Sequence, residues 1–138
     1  MKDKNVFIDT NILAYAIMDD KSPKHSNART FLENIDNRTF ISSQVLNELY
    51  SVLLRHGFED RDIQTQCRKI ARSMNVTSID FYIIEKAWTI KNKYGFSIWD
   101  SLIIAAALEA SCLILYSEDM QHEQVIEEKI SILNPFKI

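Results

Sequence analysis

The sequence predicts an α/β fold, a three-layer α/β/α sandwich with a central parallel sheet, and three observations carry that expectation. Val6-Phe7-Ile8 and Cys112-Leu113-Ile114-Leu115-Tyr116-Ser117 have strand character, and their near-continuous apolarity suits strands covered on both faces. Helical segments marked by cap residues alternate with strand-like ones along the chain, the order that builds a parallel sheet with right-handed crossovers. Leu102 to Leu108 is apolar nearly all round, so its helix must be covered on most sides.

The first strand ends abruptly at Asp9, and Thr10-Asn11-Ile12-Leu13 restarts at once as a helical pattern. Asp19-Asp20-Lys21 is a polar loop. Ser22 caps a second helix, with Pro23 at its first position, that runs to about Asp36. Thr39 to Ser42 is a short strand, and Ser43 is expected to cap a third helix whose apolar stripe is Val45, Leu49, Val52 and Leu53 and which Gly57 stops. A charged helix from Glu59 to about Ser73 leads to a brief strand near Val76-Thr77. Asp80 or Ser78 caps a fifth helix, Phe81 to Tyr94, ended by Gly95. Ser97-Ile98-Trp99-Asp100 has the spacing of a capping box ahead of the buried helix. After Ser117 come Glu118-Asp119, a short helix around Glu123 to Glu127, and a last strand from Ile130 to Leu133 that Asn134-Pro135 ends.

No repeat, low-complexity tract or linker interrupts this order, and 138 residues with 46% hydrophobic and 25% charged side chains suit one domain, residues 1–138, with one active centre. The net charge of −3 supplies no bulk positive field, which weighs against a pure DNA- or RNA-binding module. It does not weigh against a nuclease, whose metal-binding acids lower the net charge while phosphate contacts stay local. Cys67 and Cys112 belong to no CxxC pair and read as reduced and structural, as in a cytosolic protein. Met1-Lys2-Asp3-Lys4 leads directly into a strand without a signal-peptide core, and no apolar run approaches the ~20 residues that span a bilayer. A cytoplasmic protein without a membrane segment is the expectation.

In a parallel sheet, helix N-termini and strand C-termini share one edge, and ligands bind outside the carboxyl ends of the strands. Asp9 and Asp119 follow the two apolar strands, Glu48 lies in the second turn of the helix leaving the strand that ends at Ser42, and Asp100 lies in the first turn of the buried helix. The topology therefore gathers four acids from four distant segments at one rim. Each has a plainer explanation: Asp9 as a helix cap, Asp100 as the partner of Ser97, Glu48 in a rim ion pair with Arg55, Asp119 as a turn former with Ser117. Their conjunction is harder to explain plainly, because crowded like charges raise one another's pKa and destabilise a fold unless a positive group joins them. No Lys or Arg lies within a few residues of Asp9, Asp100 or Asp119, so a cation is the economical partner. An all-oxygen set suits Mg²⁺ or Mn²⁺ better than Zn²⁺, and the chemistry that follows is metal-assisted phosphodiester hydrolysis. A phosphatase with Asp9 as nucleophile would want a second Asp where Asn11 stands.

Phe7-Ile8-Asp9-Thr10-Asn11-Ile12-Leu13, Ser42 to Leu49, Ser97 to Ile103 and Leu115 to His122 together resemble the successive motifs of PIN-domain ribonucleases, most closely the VapC-type toxins of type II toxin–antitoxin pairs. The resemblance spans essentially the whole chain, through the closing Ile132-Leu133-Asn134-Pro135-Phe136. It implies that Asp9, Glu48, Asp100 and Asp119 are the catalytic acids and bind Mg²⁺ or Mn²⁺, with Thr10, Asn11 and Ser117 supporting them. It further implies endonucleolytic cleavage of RNA, a homodimer, and inhibition by a cognate antitoxin protein, none of which follows from spacing or composition. Glu123 departs from the pattern, since related sequences often carry Gly after the Gln-His pair. Arg55, Trp99 and His122 are candidate substrate contacts, with Lys91 and Lys93 as further basic candidates and Trp99 as a stacking surface for a base. The alternative is a non-catalytic protein-binding module of the same fold.

Overall fold

The computed structural model describes residues 4–138. Its sheet has six strands in the order β3-β2-β1-β4-β6-β5. They are β1 (Val6–Ile8), β2 (Thr39–Ser42), β3 (Asn75–Thr77), β4 (Ile114–Tyr116), β5 (Val125–Ile126) and β6 (Ile130–Leu133). All neighbouring pairs are parallel except β5 and β6. The helices are α1 (Thr10–Ile17), α2 (Pro23–Asn34), α3 (Ser43–Arg55), α4 (Asp60–Ser73), α5 (Phe81–Tyr94) and α6 (Ile98–Glu109). They flank the sheet as the outer layers of an α/β/α sandwich. Among the described residues no helix is long and apolar enough to cross a membrane.

The core is what the apolar runs imply. Every residue of β1 is fully buried, and Phe7 sits in register between Phe40 and Leu115. In α6 all seven residues from Ser101 to Ala107 are buried, which explains its lack of a polar face. Most caps fall where the sequence puts them: Ser22 accepts from His25 N, Asp80 from Ile83 N and Ser97 from Asp100 N, and Gly95 closes α5 with φ +79°.

Three local expectations are corrected. Ser42, not Ser43, caps α3, its hydroxyl accepting from Val45 N, while Ser43 Oγ accepts from Ile79 N in the loop after β3. The strand ending at Tyr116 is less enclosed than its apolar run suggests, since Leu113 is 44% exposed and β4 is only three residues long. The segment expected as a helix around Glu123 to Glu127 forms β5, which turns back antiparallel on β6 at the sheet's edge. Glu127 and Glu128 take positive φ in that turn, the conformation whose twist suits a hairpin, and Lys93 and Tyr94 hold the Glu127 carboxylate at 2.6 and 2.8 Å.

Glu123 has φ +72°, the left-handed backbone that glycine adopts without cost. Replacing it (Glu123→Gly) is expected to stabilise the protein by about 1 kcal/mol. Thermal unfolding would read this as a rise of a few degrees, and an unchanged or lower melting temperature would show that the turn is held by the Glu side chain instead.

Candidate active site

Strand order reverses beside β1: the chain steps from β1 to β2 to β3, then returns to lay β4 on the other side of β1. A crevice opens at such a switch point, outside the carboxyl ends of the two strands. Asp9 directly follows β1 and Ser117 directly follows β4. The backbone N–H of Asp9 donates to Tyr116 O at 3.0 Å, and Ser117 Oγ donates to Asp9 Oδ2 at 2.8 Å. Thr10 N donates to Asp9 Oδ1 at 2.7 Å, so both carboxylate oxygens of a side chain only 6% exposed are held. A regular cap would accept from the second or third helical N–H, whereas the Asp9 carboxylate accepts from the first and from Ser117.

The other three acids are held in turn. Thr10 Oγ1 donates to Glu48 Oε1 at 2.8 Å, and Gln44 Nε2 donates to Glu48 Oε2 at 3.1 Å. Arg55, the expected ion-pair partner of Glu48, bonds Ser51 Oγ at 3.4 Å. Asn11 Nδ2 donates to Asp119 Oδ2 at 3.0 Å, while Asn11 Oδ1 accepts from Glu118 N. Asp100 projects from the first turn of α6, whose N-terminus Ser97 caps. Asp9, Glu48, Asp100 and Asp119 all line one cavity of about 540 Å³, in the size range of small-ligand sites.

The acids feel one another. Burial pushes the Asp9 carboxyl up from 3.8 to about 6, with Glu48 and Asp100 adding to the rise and the bonds from Ser117 and Thr10 opposing it. Burial also raises Asp100, and the charges of Asp119 and Glu48 raise it further. Among the described residues no three carboxylate, thiol or imidazole groups approach closely enough to enclose an ion as they stand. The donor set still fits a hard divalent cation: it is all oxygen, it repels itself, and Asn11, Thr10, Gln44 and Ser117 orient it from behind.

Of the other candidates, Arg55 lines this cavity and Trp99 lines an adjoining one. His122 lines neither cavity; its Nδ1 accepts from Asn134 N at 2.9 Å and braces the end of β6. Lys93 is paired with Glu127, and neither it nor Lys91 lines the cavity. Sequence reasoning passed over His56, Tyr15 and Gln44. The signal for Gln44 was present: Gln44, Glu48, Ser51 and Arg55 recur at helical spacing and make one polar stripe on α3 that faces the site. His56, also on the cavity wall, bonds Val52 O through Nδ1. Tyr15 reaches it from α1 and donates to Glu118 Oε1, while Lys24 pairs with Glu118 Oε2 at 2.6 Å.

Asp9 thus stands between strand and helix at a switch point, with three further acids brought to it from α3, α6 and the loop after β4. The chain belongs to the PIN domain family, a family of nucleases, whose model matches residues 6–128. Three solved structures are similar in fold. The toxin VapC20 of Mycobacterium tuberculosis, described as cleaving the sarcin–ricin loop, superposes with a TM-score of 0.72 at 19% identity, over 83% of this chain and 89% of that one. A toxin–antitoxin complex from Klebsiella pneumoniae gives 0.72 at 19% identity over 96% and 99%. VapBC2 from Rickettsia felis, bound to a DNA fragment from its promoter, gives 0.63 at 19% identity over 93% and 96%. No curated protein matches the sequence.

Proposed function

We propose that this protein is a Mg²⁺- or Mn²⁺-dependent endoribonuclease, the toxin of a toxin–antitoxin pair, working in the cytoplasm as a homodimer. One observation carries the catalytic part: four acids from four separate segments line a single cavity. Asp9, Glu48, Asp100 and Asp119 would hold the cation. When bound, it would supply the charge that activates water and stabilises the phosphodiester as it is cut. The chain's own part is positioning. Ser117 and Thr10 fix Asp9, Thr10 and Gln44 fix Glu48, and Asn11 fixes Asp119 before any substrate arrives. Arg55 brings fixed positive charge to the same cavity and suits a backbone phosphate. The likeness in fold to toxins solved with antitoxins supports a protein inhibitor as the physiological partner.

Purified protein, free of any inhibitor, is expected to cleave single-stranded RNA with Mg²⁺ or Mn²⁺ and to stop when the metal is chelated. A folded protein that cuts no RNA with either metal refutes the assignment. The spread of the acids favours one rival, a non-catalytic binding module in which they are only structural. Melting with added Mn²⁺ separates the two. An ion at a hundredfold its Kd that binds only the folded state adds about 2.7 kcal/mol, a rise of several degrees, whereas the binding module shows none.

A further inference from the structure

A second cavity of about 700 Å³ adjoins the first and shares Glu48, Ser51 and Arg55 with it. Its far wall carries Trp99, 62% exposed, and polar Ser43 and Asn47 stand on the α3 side. A single exposed tryptophan is ordinary on a protein surface. This one differs in where it stands. It is the chain neighbour of Asp100 in the first turn of α6, so one helical step turns the acid toward the first cavity and the indole toward the second. Gln44 Nε2 bonds both Glu48 Oε2 and the Trp99 carbonyl, at 3.1 and 3.2 Å, tying the indole's backbone to a candidate metal ligand. The other strongly exposed aromatics, Phe81, Tyr82 and Trp88, lie on α5 and line neither cavity.

We propose, resting on the RNA-cleaving activity inferred above, that the second cavity is a base-binding subsite for single-stranded RNA. Trp99 is the stacking platform, and Arg55, on the wall common to both cavities, is the phosphate contact between the stacked nucleotide and the bond that is cut. Stacking needs an unpaired base that can leave its neighbours, so the subsite selects loops and single strands over duplex. Ser43 and Asn47 offer hydrogen-bond donors and acceptors to the base edge, which makes them the residues that would set base preference.

Binding can be read without cleavage. The chain has two tryptophans, so a Trp88→Phe protein reports Trp99 alone. Titrating it in a metal chelator with a short uridine oligonucleotide is expected to quench its fluorescence saturably. With Mg²⁺ or Mn²⁺ present, Trp99→Ala is expected to raise KM by about one to two orders of magnitude with kcat nearly unchanged, and Trp99→Phe to restore most of it. Absence of quenching, or a Trp99→Ala protein with unchanged KM, overturns the subsite even if RNA is cut, and leaves the indole to a protein partner. Quenching without cleavage under any metal upholds the subsite and refutes the nuclease instead.

Discussion

Asp9→Asn will abolish RNA cleavage and, in the same protein, raise the melting temperature measured without metal. The two effects share one cause. Asp9 is buried at the switch point with its carboxyl pushed to about 6, so at neutral pH folding must carry a charge into a site that disfavours it. Below pH 3.8 the group is protonated folded or unfolded and has no effect. Between 3.8 and about 6 the unfolded chain ionises first, so stability falls as pH rises, and above about 6 the full penalty stands. At about 1.4 kcal/mol per pH unit the penalty approaches about 3 kcal/mol, which Asn escapes while still accepting from Thr10 N. The variant's advantage should therefore be absent near pH 3.5 and amount to about 10 °C at pH 7.5. Activity should drop by at least about two orders of magnitude, the usual effect of losing one preorganised electrostatic group. Added Mn²⁺ should stabilise the wild type and not the variant. A variant that melts no higher at neutral pH, or that still cuts RNA, would place Asp9 outside this role.

Ser117→Ala is expected to act in the opposite sense. The hydroxyl is fully buried, donates to Asp9 Oδ2 at 2.8 Å and accepts from Asp119 N at 3.3 Å. Without it, a buried carboxylate keeps its charge with one charge-assisted bond fewer, a loss of about 2–3 kcal/mol. Because that bond opposes the rise of the Asp9 carboxyl, its removal pushes the carboxyl higher still, and the destabilisation should be largest above about pH 6. Denaturant unfolding at pH 5 and pH 7.5 checks this, as does the double variant: with Asn at position 9 the Ser117→Ala loss should shrink to that of a neutral bond. Equal losses at both pH values would mean that Ser117 serves only packing.

Helix caps and apolar runs were legible because they depend on neighbours within a turn. Ser22, Asp80, Gly95 and Ser97 act through bonds a few residues long, and β1 and α6 carry their burial in composition. The β5–β6 hairpin was not legible. Glu123 to Lys129 is rich in helix-forming Glu and Gln, and positive φ at Glu123, Glu127 and Glu128 is enforced by pairing with β6 and by Lys93 and Tyr94, which no local rule registers. The bond His122 makes was not legible for a similar reason: its nearness to Asp119 in sequence says nothing of Asn134, whose backbone N–H donates to its ring.

By itself the sequence determined the order of strands and helices, β5 excepted, and which acids end which element, since periodicity, capping and the sharing of one rim by strand ends and helix starts are local or topological rules. The tertiary structure decided the rest. Strand order put β1 beside β4, and with it Asp9 within reach of Ser117; the placement of α3 across from the start of α6, where Gln44 bonds the Trp99 carbonyl, made the second cavity that Trp99 lines. These are contacts between residues dozens of positions apart, and their distances follow from how whole elements pack, which no single stretch of chain encodes.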